Sequence, residues 1–275
     1  MDYYAPESLS EALDILGRGG VTPLSGGTDF YPALTPGGPR QSLLDITRIA
    51  ALHGISRQAG GWRIGAATTW SEIARAELPP AFDGLRAAAR EVGARQIQNV
   101  GTVGGNICNA SPAADGVPPL LTLDAEVEIA AAGGTRRMAL SGFVTGVRQV
   151  ALKPGEMVVA LHLPDPPETA VGAFRKLGSR AYLVISIAMV AMVLRRDGAG
   201  RVDHARIAVG ACSPVAQRLG ALETALIGAR PEEVRVTMAN LGALQPIDDV
   251  RGSAAYRLDA VREVIARMLR EAGDG

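Results

Sequence analysis

Two glycine-rich segments carry the residues best suited to chemistry, Ser25-Gly26-Gly27-Thr28-Asp29 and Gly101-Thr102-Val103-Gly104-Gly105-Asn106. Glycine admits positive φ and has no Cβ, so successive backbone N–H groups can converge on an anion. The Thr28 and Thr102 hydroxyls can add donors. Neutral donors suit a diphosphate, whose charge is spread over several oxygens. Neither segment is a GxGxxG, and no Lys follows either glycine pair as in GxxxxGK[ST], which argues against the Rossmann and P-loop forms of phosphate binding. The bland alternative is a pair of tight turns in a chain with 33 glycines.

Other reactive residue types are sparse. Cys108 and Cys212 are the only cysteines and lie far apart, whereas an iron–sulfur cluster or a structural zinc takes four protein ligands. His53, His162 and His204 are scattered, with no HExxH. The chain alone is therefore expected to hold no metal centre. Lys plus Arg and Asp plus Glu each number 28, so the basic excess that nucleic acid or an anionic membrane attracts is missing. The longest apolar run, Leu183 to Leu194, falls short of the roughly 20 residues of a membrane span, and the start MDYYAPES lacks the marks of a leader. These features predict a cytoplasmic protein with no membrane insertion and no nucleic-acid partner.

The elements that must position the two segments are partly legible. Ser8 with Glu11, and Leu9, Ala12, Leu13 and Leu16 at helical spacing, predict a helix over 8–20. A short apolar run, 21–24, enters the first glycine segment; strands are expected at 42–46 and 62–67, a short helix capped by Ser71 through Ala76, and a helix over 81–92. Residues 98–115, rich in Gly, Asn, Ser and Pro, read as irregular, followed by a Leu-rich turn at 120–123. AEVEIAAAGGTRRMAL reads as a hairpin and MVVALHLP as a strand. Pro164, Pro166 and Pro167 mark a boundary, giving domains 1–166 and 167–275. The second part reads as a long hairpin turning at DGAG, then helices over 218–227, 232–244 and 254–271, an α+β pattern.

SGGTDFYP, RQIQNVGTVGGNICNASPAAD, FRKLGSR and DDVRGSAAYR occur in that order along nearly the whole chain. Together they resemble the FAD-binding subunit, or middle domain, of the molybdenum hydroxylases, which include aerobic carbon monoxide dehydrogenase, xanthine dehydrogenase and nicotine dehydrogenase. The resemblance implies an α+β chain: an N-terminal FAD-binding region of the vanillyl-alcohol-oxidase (PCMH) type with two small α/β subdomains, then a C-terminal three-stranded antiparallel sheet with helices. It also implies that Pro23, Leu24, Ser25, Gly26, Gly27, Thr28, Asp29 and Phe30, with Thr102, Val103, Gly104, Gly105 and Asn106, wrap the FAD diphosphate. Asp115 matches an aspartate that contacts the cofactor, Val158 falls at a position that touches it, and Lys176 matches a lysine near the flavin.

Ser111 is a further candidate donor, and Lys176, Arg180 and Tyr182 are candidates for tuning the flavin, with a solvated basic face and a core tyrosine as the alternatives. Relatives whose first loop reads GGHS carry histidine where Thr28 stands, and neither His nor Cys occurs in this loop, so FAD is expected to be noncovalent. Of the histidine or cysteine that tethers FAD in related proteins, only Cys108 occurs within either motif. The implied partners are a molybdopterin-binding large subunit and a [2Fe–2S] small subunit, in a heterotrimer that pairs, with NAD, oxygen or a quinone as acceptor. A self-contained flavin oxidoreductase and a flavin-free module of the same fold are the competing readings.

Overall fold

A computed structural model describes residues 2–38, 41–181 and 184–274. Ser8 caps helix α1 (Leu9–Gly17) by accepting from the Glu11 N–H, and the helix buries Ala12, Leu13 and Leu16. It covers a parallel sheet of order β1-β3-β2, built from β1 (Tyr3–Tyr4), β2 (Val21–Leu24) and β3 (Ser42–Asp45). The first glycine segment leaves this sheet directly from the end of β2.

A five-stranded antiparallel sheet follows, of order β4-β5-β10-β6-β7. Its strands are β4 (Ile55–Gln58), β5 (Gly61–Gly65), β6 (Glu126–Ala131), β7 (Gly134–Ala139) and β10 (Met157–Pro164). β10 is the middle strand, and Met157 to Leu163 are all buried. Such two-sided burial favours an unbroken apolar run over alternation. Helices α2 (Trp70–Arg75), α3 (Asp83–Glu91), α4 (Arg95–Val100), α5 (Val103–Asn109), α6 (Val117–Thr122) and α7 (Leu140–Phe143) lie between β5 and the small hairpin of β8 (Val144–Gly146) and β9 (Gln149–Val150).

The C-terminal sheet has the order β11-β12-β13-β14, with β11 (Val171–Leu177), β12 (Ala188–Arg196), β13 (Val202–Gly210) and β14 (Gln217–Arg218). Along β12, Ala188, Val190, Met192 and Leu194 pack toward α8 (Gly220–Leu226) and α9 (Ala254–Asp274). Met189 and Ala191 face the other way, into a cluster with Ala88 of α3. The alternation is the period-two geometry of a strand, with both faces covered. A sheet thus joins the C-terminal helices to the helices that frame the glycine segments.

Several local expectations differ from the fold. Residues 98–115 are not irregular throughout, since the end of α4 and all of α5 fall within them. The Leu-rich turn is the end of α6. Thr69, not Ser71, caps α2, with Glu72 completing the capping box. Residues 232–244 form only 3₁₀ turns, Pro231–Glu233 and Met238–Leu241, the second started by a capping box between Thr237 and Asn240. FRKL ends β11, a strand separate from the β12–β13 hairpin, and the two-residue β14 adds a fourth strand to the expected three. No helix among the described residues is long and apolar enough to cross a membrane.

Candidate cofactor site

The two glycine segments touch. A Cβ on Gly26 would overlap the Val100 carbonyl and stand 2.9 Å from the Gly101 Cα, and one on Gly101 would stand 3.6 Å from the Thr28 Oγ1. Around this contact opens a cleft of about 570 Å³. Pro23 to Phe30 line it, as do Thr102, Gly105 and Asn106.

The two segments differ in what they offer. Among the described residues, no backbone N–H from Ser25 to Phe30 donates to a protein acceptor. Gly27 is left-handed, φ +65°, and a Cβ there would stand 2.5 Å from the Tyr31 ring, so this turn requires glycine. In the second segment the amides from Val103 to Asn106 are already used. Val103 N–H bonds the Thr68 carbonyl at 3.0 Å, Gly104 the Ala66 carbonyl at 2.9 Å, and Gly105 the Thr102 hydroxyl at 3.2 Å. The expectation of free amides in both segments is therefore corrected: the second one folds as a capped helix start. Val103 and Gly104 are buried behind the cleft, and a Cβ on Gly104 would stand 2.7 Å from the Ala66 oxygen.

Two buried polar atoms at the cleft have no partner, Ser25 Oγ and Asn106 Oδ1. Buried polar groups are normally satisfied, so orphans beside a free amide cradle indicate a polar ligand. A dinucleotide with a diphosphate fits this donor set: phosphate oxygens accept from the Ser25–Phe30 amides and the Ser25 hydroxyl, and a sugar hydroxyl can donate to Asn106.

The remaining predicted residues stand outside the lining. Lys176 Nζ bonds Asp115 Oδ2 at 2.8 Å with both side chains less than a tenth exposed, and Ser186 Oγ donates to Asp115 Oδ1 at 3.0 Å. Burial pushes the Asp115 carboxyl above its usual value, outweighing the pull of Lys176. Lys176 also donates to the Glu91 carbonyl at 3.2 Å, one residue from Val92 in the cleft wall. Val158 is core, Ser111 Oγ accepts from the Ala113 N–H, and Arg180 is exposed. Tyr182 lies outside the described residues.

Sequence reasoning missed Trp70, Val92, Ile97, Asn109 and Arg148 in the lining. A chain pattern signals local elements, and these residues reach the cleft only through tertiary packing. Trp70 did carry a signal, since Thr69-x-x-Glu72 is a capping box that places it at the start of a helix. Cys108 also lines the cleft, and burial pushes its thiol up to about 12, so it carries no thiolate at neutral pH. No group of three or more metal-ligating side chains occurs among the described residues.

Residues 1–166 match the FAD-binding domain in molybdopterin dehydrogenase, and residues 173–272 match the CO dehydrogenase flavoprotein C-terminal domain. The chain is 32% identical to the xanthine dehydrogenase FAD-binding subunit of Escherichia coli O157:H7, over 98% of this chain and 95% of that one. It is 29% identical to the carbon monoxide dehydrogenase medium chain of Hydrogenophaga pseudoflava, over 98% and 96%. The reconstituted CO dehydrogenase from Oligotropha carboxidovorans superposes with a TM-score of 0.90 at 26% identity, covering 100% of this chain and 98% of its counterpart. With family matches and relatives that run nearly end to end, the chain belongs to the FAD-binding subunit family of the molybdenum hydroxylase dehydrogenases.

Proposed function

We propose that this chain is the FAD-carrying electron-transfer subunit of a heteromeric molybdenum hydroxylase. It takes electrons from [2Fe–2S] clusters on a small partner and delivers them to an external acceptor, while a large partner binds the molybdenum cofactor. The observation that carries this reading is the Ser25–Phe30 cradle of unbonded amides beside the orphaned Ser25 hydroxyl. Bound FAD supplies exchange between one-electron and two-electron carriers.

The chain's own residues hold and orient. The Ser25–Phe30 amides bind the diphosphate, and Asn106 accepts from a hydroxyl of the cofactor. Val103 and Gly104 fix the second segment from behind, through their bonds to Thr68 and Ala66. Lys176, gripped by Asp115, supplies a fixed charge next to Val92. Burial pushes the Cys108 thiol up to about 12, which favours noncovalent FAD. Residues 1–166 form the FAD-binding region and residues 167–275 the C-terminal domain.

Purifying the chain and recording its visible spectrum tests this. One FAD per chain is expected, reduced only when the reduced iron–sulfur partner is added. A chain without affinity for FAD contradicts the assignment, and so does rapid flavin reduction by a small substrate without partners.

A further inference from the structure

Arg148 is the one cationic side chain among the described residues that line the cleft. It sits on the turn between β8 and β9 in left-handed backbone, φ +58°, and its N–H bonds the Ala110 carbonyl at 2.9 Å. Ala110, which ends α5, is left-handed as well, φ +47°. That conformation is disfavoured for any residue with a Cβ, and two such residues bonded to each other at a cleft mark a site held in place by its surroundings.

The Arg148 side chain is positioned too. Nη1 donates to the Asn109 side-chain oxygen and, at 3.4 Å, to the Asn109 carbonyl. The guanidinium makes no ion pair with a described residue, and its Nε and Nη2 donors take no part in these bonds. A planar, permanently charged fork with open donors at a cleft wall suits an electron-rich ring beside a phosphate.

Which half of the dinucleotide it meets follows from the path of the chain. Helices α4 and α5 meet at Gly101–Thr102, against the diphosphate cradle. From there α4 leads back toward Val92, beside the Lys176 bond to Glu91, while α5 leads on to Asn109, about 10 Å along the helix. Val92, which precedes α4 in the chain, and Asn109, which ends α5, both line the cleft. Given the proposed function, which puts the flavin at the Lys176 end, we infer that Arg148, held by Asn109, binds the adenosine–phosphate half of FAD.

The test uses the full chain freed of nucleotide and measures affinity for FAD and for FMN by calorimetry at two salt concentrations. Arg148→Gln is expected to bind FAD about tenfold or more weaker, with a flatter salt dependence, and to bind FMN as the wild type does. A melting curve without nucleotide checks that the variant is folded. If it is not, Arg148→Lys takes its place, with FAD affinity again expected below wild type because the planar fork is lost. Wild-type FAD affinity in the folded variant overturns the inference, as does an equal loss for FAD and FMN. A wild-type chain that binds no FAD instead overturns the function proposed above.

Discussion

The missing side chain of Gly26 faces Val100, not the cleft: a Cβ there would collide with the Val100 carbonyl. The glycine is needed so that two distant stretches of backbone can meet and form one wall. Gly104 plays the same part against Ala66, where a Cβ would stand 2.7 Å from the carbonyl oxygen. Gly26→Val and Gly104→Val should therefore each lose most of their FAD and cost about 1–3 kcal/mol by overpacking. The C-terminal sheet and its helices should stay folded, because their core is a separate cluster. Flavin absorbance per chain and a urea melt check both parts, and normal flavin content in both variants contradicts the loop assignment.

Lys176 and Asp115 form a buried ion pair between the C-terminal sheet and the residues after α5. Removing only the cation leaves a carboxylate buried without compensation, so Lys176→Met should cost about 3–5 kcal/mol. Replacing both, as Lys176→Met with Asp115→Leu, should cost less than the single change. Denaturant unfolding of the wild type and these two variants measures this, and a double variant less stable than Lys176→Met would contradict a coupled pair. If Lys176 also tunes the flavin, Lys176→Ala should shift the flavin potential more than it lowers FAD content, read by spectroelectrochemistry.

The Glu156 carboxyl receives two bonds from Arg136, at 2.8 and 2.7 Å, and one from the Lys153 N–H, which hold its pKa down at about 2. Its folded value lies below its unfolded one, so its contribution is complete above pH 4.5 and is lost as pH falls from there through 2. Glu156→Gln should be less stable at pH 7 by about 1–2 kcal/mol and should lose stability less steeply over that acid window. Unfolding free energies measured across the range test this, and parallel curves would contradict it.

With its thiol pushed up to about 12, Cys108 should resist alkylation at pH 8 in the native chain. Acid precipitation should release all the FAD into the supernatant. A flavin-labelled peptide containing Cys108 would contradict noncovalent binding.

The residue pattern made the framework legible where burial is periodic. The capped α1, the β6–β7 hairpin and the unbroken apolar run of β12 follow from patterns that local geometry enforces. The first glycine segment was legible as a turn of free N–H groups because they have no competing element to join. The second was not, since α5 holds only seven residues and its Gly and Asn content resembles a loop, while its helical bonds depend on Thr68 and Ala66 from another part of the chain. Arg148 gave no sign at all, because its place at the cleft depends on a bond to Ala110 that no local spacing encodes.

Amide resonances of the nucleotide-free chain, followed by NMR as ADP is added, test the central claim most directly. The N–H signals of Ser25 to Phe30 should move strongly, while those of Val103 to Asn106, already bonded inside the fold, should move far less. Unmoved signals from Ser25 to Phe30 in a chain saturated with ADP would contradict a diphosphate held by that cradle.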